Sequence, residues 1–244
     1  MISVNKHFVE GFAFKTKDYK ENSIILTIYS IDGFHDFVIK SGKKLSSKLA
    51  MYAQSFSLVK IAYSKGKGID TLVEGEVINN FTNIKMDTYK QMVALSIYEY
   101  LDIYKDSIID FKITYTFLNK LFELLDQTNY YKGILTIFEV KFWYLVGIQP
   151  IFKSCVYCDN PGLYFSIDDG GLLCAKHKKI DSINKETTKL INLIYHIKLD
   201  AINDEFLKLV DDYFLDLSKL TDLYYVYFFD AKNKNKALFL KLLK

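Results

Sequence analysis

Four residues stand in the spacing of a metal site: Cys155-x2-Cys158, fifteen residues, then Cys174-x2-His177. Two residues between ligands let one tight turn aim both side chains at a single ion. Two such turns, joined by a hairpin, complete a tetrahedron. Gly170 and Gly171 precede the second pair, where the chain must bend closely. Three thiolates and one imidazole select Zn²⁺ over harder cations. Two other readings stay open: three buried free cysteines beside a surface histidine, and a redox C-x-x-C. Paired spacing on both sides weighs against the first. Pro161-Gly162, where a redox motif would open a helix, weighs against the second. Four protein ligands close the coordination sphere, so the expectation is one structural Zn²⁺ and no catalytic one. The H-x-E that accompanies C-x-x-C in zinc deaminases is missing, since His7 precedes Phe8-Val9 and His35 precedes Asp36-Phe37.

Other chemistry-bearing motifs are scarce. The sequence contains no phosphate-cradling G-x-x-x-x-G-K-[ST], no G-x-S-x-G and no H-E-x-x-H. Asp168-Asp169, beside two glycines, reads as a turn. Lacking a catalytic constellation, the chain reads as a binding protein and not an enzyme.

Charge offers a second lead. All basic side chains apart from four histidines are lysine, and the net charge is only +3. The excess is concentrated. Between Phe37 and Ile69 there are seven lysines and no acid, and from Ala231 to Lys244 there are five lysines and no acid. Such runs are the form an electrostatic footprint for a polyanion takes. Lys40, Lys43, Lys44 and Lys48 are the candidate phosphate contacts, with Lys65 and Lys67 secondary; lysine meets phosphate as a point charge and reads no bases. Phe34, Phe37, Tyr52, Phe56 and Tyr63 are interleaved with them, the composition of an OB-fold that stacks single-stranded bases. A solvated basic face over ordinary core aromatics explains the same residues equally well. The final run is also readable as an amphipathic helix (Ala237, Leu238, Leu240, Leu242, Leu243) with solvated lysines.

The elements that must position these residues follow from periodicity. About five strands are expected in residues 1–80, with a hairpin at Asp32-Gly33 and another turn at Gly66 and Gly68. A small closed barrel is the economical arrangement, because closure removes exposed strand edges. Helical spacing then takes over: Asp87 is placed to cap a helix, and "FKITYTFLNKLFELLDQ" follows. In "GILTIFEVKFWYLVG" an apolar stripe of Ile134, Phe138, Phe142 and Leu145 faces one way, with Gly147 to end it. Two more helical segments follow the cysteines, and "LYYVYFFDAKNKNKALFLKLLK" is ambiguous between strand and helix. The fold class is therefore α+β: a barrel domain over 1–80, then a helical domain over 81–244 interrupted at 152–179 by a zinc-ribbon-like insertion. No membrane span or signal peptide is evident, and three cysteines suggest a reducing, cytoplasmic setting.

Three stretches resemble one family, the bacterial DNA-repair mediator RecO. "YKENSIILTIYSIDG" from Tyr19 and "IKSGKKLSSKL" from Ile39 are similar to its opening patterns. "FEVKFWYLVGIQPIFKSCVYCDNPGLYFSIDDGGLLC" is similar to its helix ending in L-x-G-x-x-P followed by C-x2-C and F-S-x-x-x-G-G-x-x-C. The resemblance implies an N-terminal OB-fold, a helical domain and a zinc-binding insertion. It further implies binding of single- and double-stranded DNA, annealing of complementary strands, partnership with RecR, contact with the tail of single-strand-binding protein, and help in loading RecA. A protein of another class, a zinc-containing adaptor with a peptide groove and only incidental affinity for nucleic acid, fits the same composition.

Overall fold

The computed structural model describes residues 6–44 and 46–243. The chain divides into two compact units. One holds the chain up to Asp87 together with Asp110–Asp126; the other holds Thr88–Ile109 together with everything from Gln127.

In the first unit, strands β1 (His7–Tyr19), β2 (Ser23–Ser30), β3 (Gly33–Ile39), β4 (Leu58–Ser64) and β5 (Asp70–Asn79) close into a barrel in the order β1-β2-β3-β5-β4. Every pair is antiparallel except β3 with β5, where Phe37 lies opposite Asp70. This is the OB-like barrel expected. The alternation of the strands sends Leu26, Ile28, Phe37, Ile39, Val59, Ile61 and Leu72 into one buried cluster. β1 closes the barrel because it serves two neighbours, β4 along His7–Phe12 and β2 from Gly11 onward. The exchange needs a glycine: a Cβ at Gly11 would lie 2.4 Å from the Tyr29 carbonyl oxygen.

Two helices belong to this unit. The Ile84 N–H of α1 (Thr82–Met86) donates to the carboxylate of Asp126 at 2.9 Å, and Asp126 lies near the end of α3 (Phe111–Gln127). α3 lays Tyr115 and Phe122 against Phe12 of β1, with ring centroids 5.8 and 5.2 Å apart. The compact units therefore do not follow a single cut at residue 80, because the apolar face of α3 is buried on the barrel.

The second unit is helical, with α2 (Thr88–Ile103), α4 (Tyr131–Leu145), α5 (Lys185–His196), α6 (Asp204–Asp212), α7 (Phe214–Phe229) and α8 (Lys234–Leu242). α4 is its centre. Instead of one stripe, α4 buries residues on every side, including Leu135, Ile137 and Trp143, because α2, α5, α6 and α7 all pack around it. It ends as foreseen at Gly147, whose φ of +77° and N–H to Tyr144 close a Schellman turn with Ile148 N–H to Trp143. The ambiguous final segment is two helices, and "DEFLKLVDDYFLDL" is broken at Tyr213 between α6 and α7. Between α4 and α5 lies a small sheet of order β6-β8-β7, from β6 (Ile151–Cys155), β7 (Tyr164–Ser166) and β8 (Gly171–Leu173).

The final lysine run forms the expected helix, α8, with Lys232, Lys234 and Lys241 exposed, but one of its lysines departs from expectation. Lys236 is not solvated; it is 1% exposed and sits 2.7 Å from Glu139 of α4 and 2.8 Å from Asp222 of α7. Tyr100 and Thr221 also donate to the Glu139 carboxylate, at 2.6 and 2.7 Å. Burial raises the Glu139 carboxyl above its ordinary range, and Lys236 opposes the rise without cancelling it. A lone buried carboxylate cannot be tolerated, so α8 is drawn in to supply the cation.

Candidate metal centre and nucleic-acid interface

Residues 155–177 bring four donor atoms to one point. The Sγ atoms of Cys155, Cys158 and Cys174 and a ring nitrogen of His177 all lie within 4.8 Å of one another. Each x2 spacing forms a turn closed by its own hydrogen bond: Cys158 N–H to the Cys155 carbonyl at 3.3 Å, and His177 N–H to the Cys174 carbonyl at 3.2 Å. β6 carries the first turn and β8 leads into the second. The sheet is seated by Phe165 of β7, which is buried between Trp143 and Phe152 with centroids 6.2 and 5.7 Å away.

The edges of the cluster test whether a metal fits. His177 Nδ1 is 3.3, 3.6 and 3.4 Å from Cys155, Cys158 and Cys174, and Cys158 is 3.8 Å from Cys174. A tetrahedral ion with metal–sulfur bonds of about 2.3 Å and a metal–nitrogen bond of about 2.1 Å needs edges of about 3.8 and 3.6 Å. The cage has the size and donor chemistry of such a site, and its four protein donors leave no open position. Burial raises Cys155, but backbone N–H groups of Tyr157 and Cys174 and the neighbouring His177 outweigh it, bringing it to about 6. Cys158 moves upward: the Asn160 N–H favours its thiolate, yet burial and the neighbouring sulfurs prevail.

One residue near this site goes beyond its sequence reading. Asp169 does occupy a turn, but its carboxylate, 5% exposed, collects three side chains. Lys179 Nζ lies 2.6 Å away, Ser166 Oγ donates at 2.6 Å, and the Tyr157 hydroxyl also donates. Burial raises Asp169, but the bonds from Lys179, Ser166 and Tyr157 outweigh it and hold its pKa at about 2. Lys179 and Tyr157 lie ten and twelve residues away on either side, a spacing that announces nothing in sequence.

The barrel lysines fall into two groups. Lys40, Lys43 and Lys44 share the segment after β3, which is tied to the β1–β2 turn by Lys43 N–H to the Asn22 carbonyl at 3.1 Å. Lys48 opens a short 3-10 turn, Lys48–Ala53. Lys65 and Lys67 lie beyond β4, whose Tyr63 pairs with His7 at the other end of β1. All six are exposed in the structure. Lys43 pairs with Asp18 at 3.0 Å and Lys65 with Asp70 at 2.9 Å. Among the described residues, Lys40, Lys44, Lys48 and Lys67 form no ion pair. Lys60, in the same acid-free run, lies opposite Glu76 of β5. The interleaved aromatics are not a free stacking platform: Phe37 and Phe56 are 2% and 7% exposed, while Tyr52 and Tyr63 pack on the barrel core. Phe34, half-buried, packs edge-on against Phe14 and Tyr29.

An OB-like barrel with a basic segment, followed in the same chain by helices that carry a four-donor ribbon able to hold a metal ion, defines a two-unit protein. Comparison with known proteins gives the family. The model for the Recombination protein O N terminal matches residues 5–81, and that for the Recombination protein O C terminal matches residues 113–237. The chain belongs to the RecO family. The DNA repair protein RecO of Halalkalibacterium halodurans is 29% identical over 204 residues, covering 78% of each chain. That of Bacillus cytotoxicus is 30% identical over 204 residues, 77% of this chain and 79% of the relative. Among the described residues no helix is long and apolar enough to cross a membrane.

Proposed function

We propose that this chain is a non-enzymatic, cytoplasmic DNA-binding mediator of recombinational repair. Its barrel binds the backbone of single- and double-stranded DNA, its activity is to anneal complementary strands and assist loading of RecA, and its partner is RecR. The observation that carries the reading is the exposed, acid-free segment of Lys40, Lys44 and Lys48 on an OB-like barrel, in a chain of the RecO family. Lys43 and Lys65 contribute less, since each must first leave a carboxylate, although such exposed pairs are worth only about 0–1 kcal/mol. Replacing Lys40, Lys44 and Lys48 together with alanine should weaken binding of unrelated DNA oligomers to a similar extent. Undiminished affinity would remove these residues from the interface.

The ion proposed for the Cys155, Cys158, Cys174 and His177 cage is Zn²⁺, with a structural role. Chelation should release one zinc per chain and loosen residues 152–179 to proteolysis. Protein purified without chelator and lacking stoichiometric metal would contradict this.

The adaptor reading has its own observation. A groove of about 490 Å³ between α7 and α8 is lined by Leu223, Val226, Ala237 and Leu240, with exposed Lys219 and Lys232 beside them. Its chemistry suits a short peptide with acidic residues and an apolar end, such as the tail of single-strand-binding protein. Measuring binding of a DNA oligomer and of that tail peptide, each at two salt concentrations, separates the readings: the mediator binds both, and the adaptor binds only the peptide tightly.

A further inference from the structure

The His177 ring has an unusual support. A histidine that ligates a metal is ordinarily held in its plane by a hydrogen bond from its other ring nitrogen. Here Nδ1 faces the three sulfurs, and among the described residues Nε2 of His177 has no hydrogen-bond partner. What touches the ring is Tyr157, packed edge-on with centroids 5.4 Å apart and planes at 63°. Tyr157 is itself 57% exposed, so packing does not fix its ring. Its hydroxyl is tied to Asp169. Asp169 is anchored in turn by Ser166 and by Lys179, two residues past the histidine. A chain of contacts therefore runs from a buried carboxylate, through a tyrosine inside the first ligand turn, to the ring of the last ligand.

We propose that Asp169 is a positioning residue for the metal centre: by tethering Tyr157 it sets the plane of the His177 imidazole, and by holding Lys179 it fixes the chain leaving the second ligand turn. The inference rests on a metal occupying the cage. The lone pair of Nδ1 lies in the ring plane, so a rotated ring would point it away from the ion. A thiolate at the same position has no plane to orient.

Titration of the whole protein with Co²⁺, read by its ligand-field absorption, and competition of Zn²⁺ against a chromophoric chelator give the test. Asp169→Asn should weaken Zn²⁺ about tenfold, at the low end of what outer-shell partners contribute, and should shift the Co²⁺ bands. Tyr157→Phe should do the same to a smaller degree, about threefold. In a His177→Cys background the Tyr157→Phe loss should vanish and the Asp169→Asn loss should shrink. Unchanged affinity and spectrum in both variants would overturn the proposal. So would equal losses with histidine or cysteine at position 177, which would make the network merely structural. If Asp169→Asn does not fold, Tyr157→Phe in the two backgrounds decides alone. Failure to bind any stoichiometric metal would instead remove the zinc assignment itself.

Discussion

The two acid-free lysine runs of this chain contain lysines with opposite fates. In the barrel run, Lys40, Lys44, Lys48 and Lys67 point to solvent without an ion pair among the described residues. In the terminal run, Lys236 is inside the helical unit, bound to Glu139 and Asp222 and also to the Ser218 carbonyl and Thr221 hydroxyl at 3.1 and 3.0 Å. Its neighbours serve the same docking: Lys234 and Asn235 donate their backbone N–H groups to Glu99 of α2 at 2.9 and 2.7 Å. A run of like charge records only that no acid is near in sequence. Whether the fold brings one from elsewhere decides if the charge is a surface for a partner or a bolt between helices.

Breaking the buried half of this contrast should have the largest effect. Lys236→Met leaves Glu139 buried beside no cation and should cost about 3–5 kcal/mol in denaturant unfolding. Adding Glu139→Leu should recover much of it, since apolar replacements of both partners are often neutral. A loss under 1 kcal/mol for Lys236→Met would show that the pair is not what seats α8. Next comes the exposed half. Lys44→Ala should reduce DNA affinity more than Lys43→Ala, which already faces Asp18, and Lys60→Ala, opposite Glu76, should change it least. None should move stability by more than about 0.5 kcal/mol. Titration at equilibrium across the three variants checks the order, and a dominant Lys60 effect would relocate the interface.

The smallest effect is in alkali. Burial, with Asp222 and Glu139 adding to it, pushes Tyr104 up to about 12. A phenol whose folded pKa exceeds its unfolded value of about 10 gives stability that is full below pH 10 and lost as pH rises through 12. Tyr104→Phe should therefore flatten the fall in stability between those values. An unchanged slope would mean that Tyr104 titrates like an exposed phenol.

Much of this was legible in the residues themselves. The barrel was, because alternation and the Asp32-Gly33 turn act over short distances. So was the meeting of Cys155, Cys158, Cys174 and His177, because two tight turns set their spacing. The stacking role of Phe37 and Phe56 was not, since an aromatic on a strand reads alike whether it faces a nucleobase or the barrel core. Nor was the all-round burial of α4, whose neighbours are one earlier and three later helices. Asp169 and Lys236 escaped for a common reason: their meaning lies in partners on other segments, and no local period marks such contacts.

The salt dependence of binding to a single-stranded DNA oligomer tests the contrast most directly. Each lysine that neutralises a phosphate adds about 0.7 to the slope of log affinity against log salt on a single strand. Replacing Lys40, Lys44 and Lys48 with alanine should lower the slope by about 2, while replacing the exposed terminal pair Lys232 and Lys241 should leave it unchanged. The reverse outcome, an unaltered slope for the barrel triple and a lowered one for the terminal pair, would contradict the account.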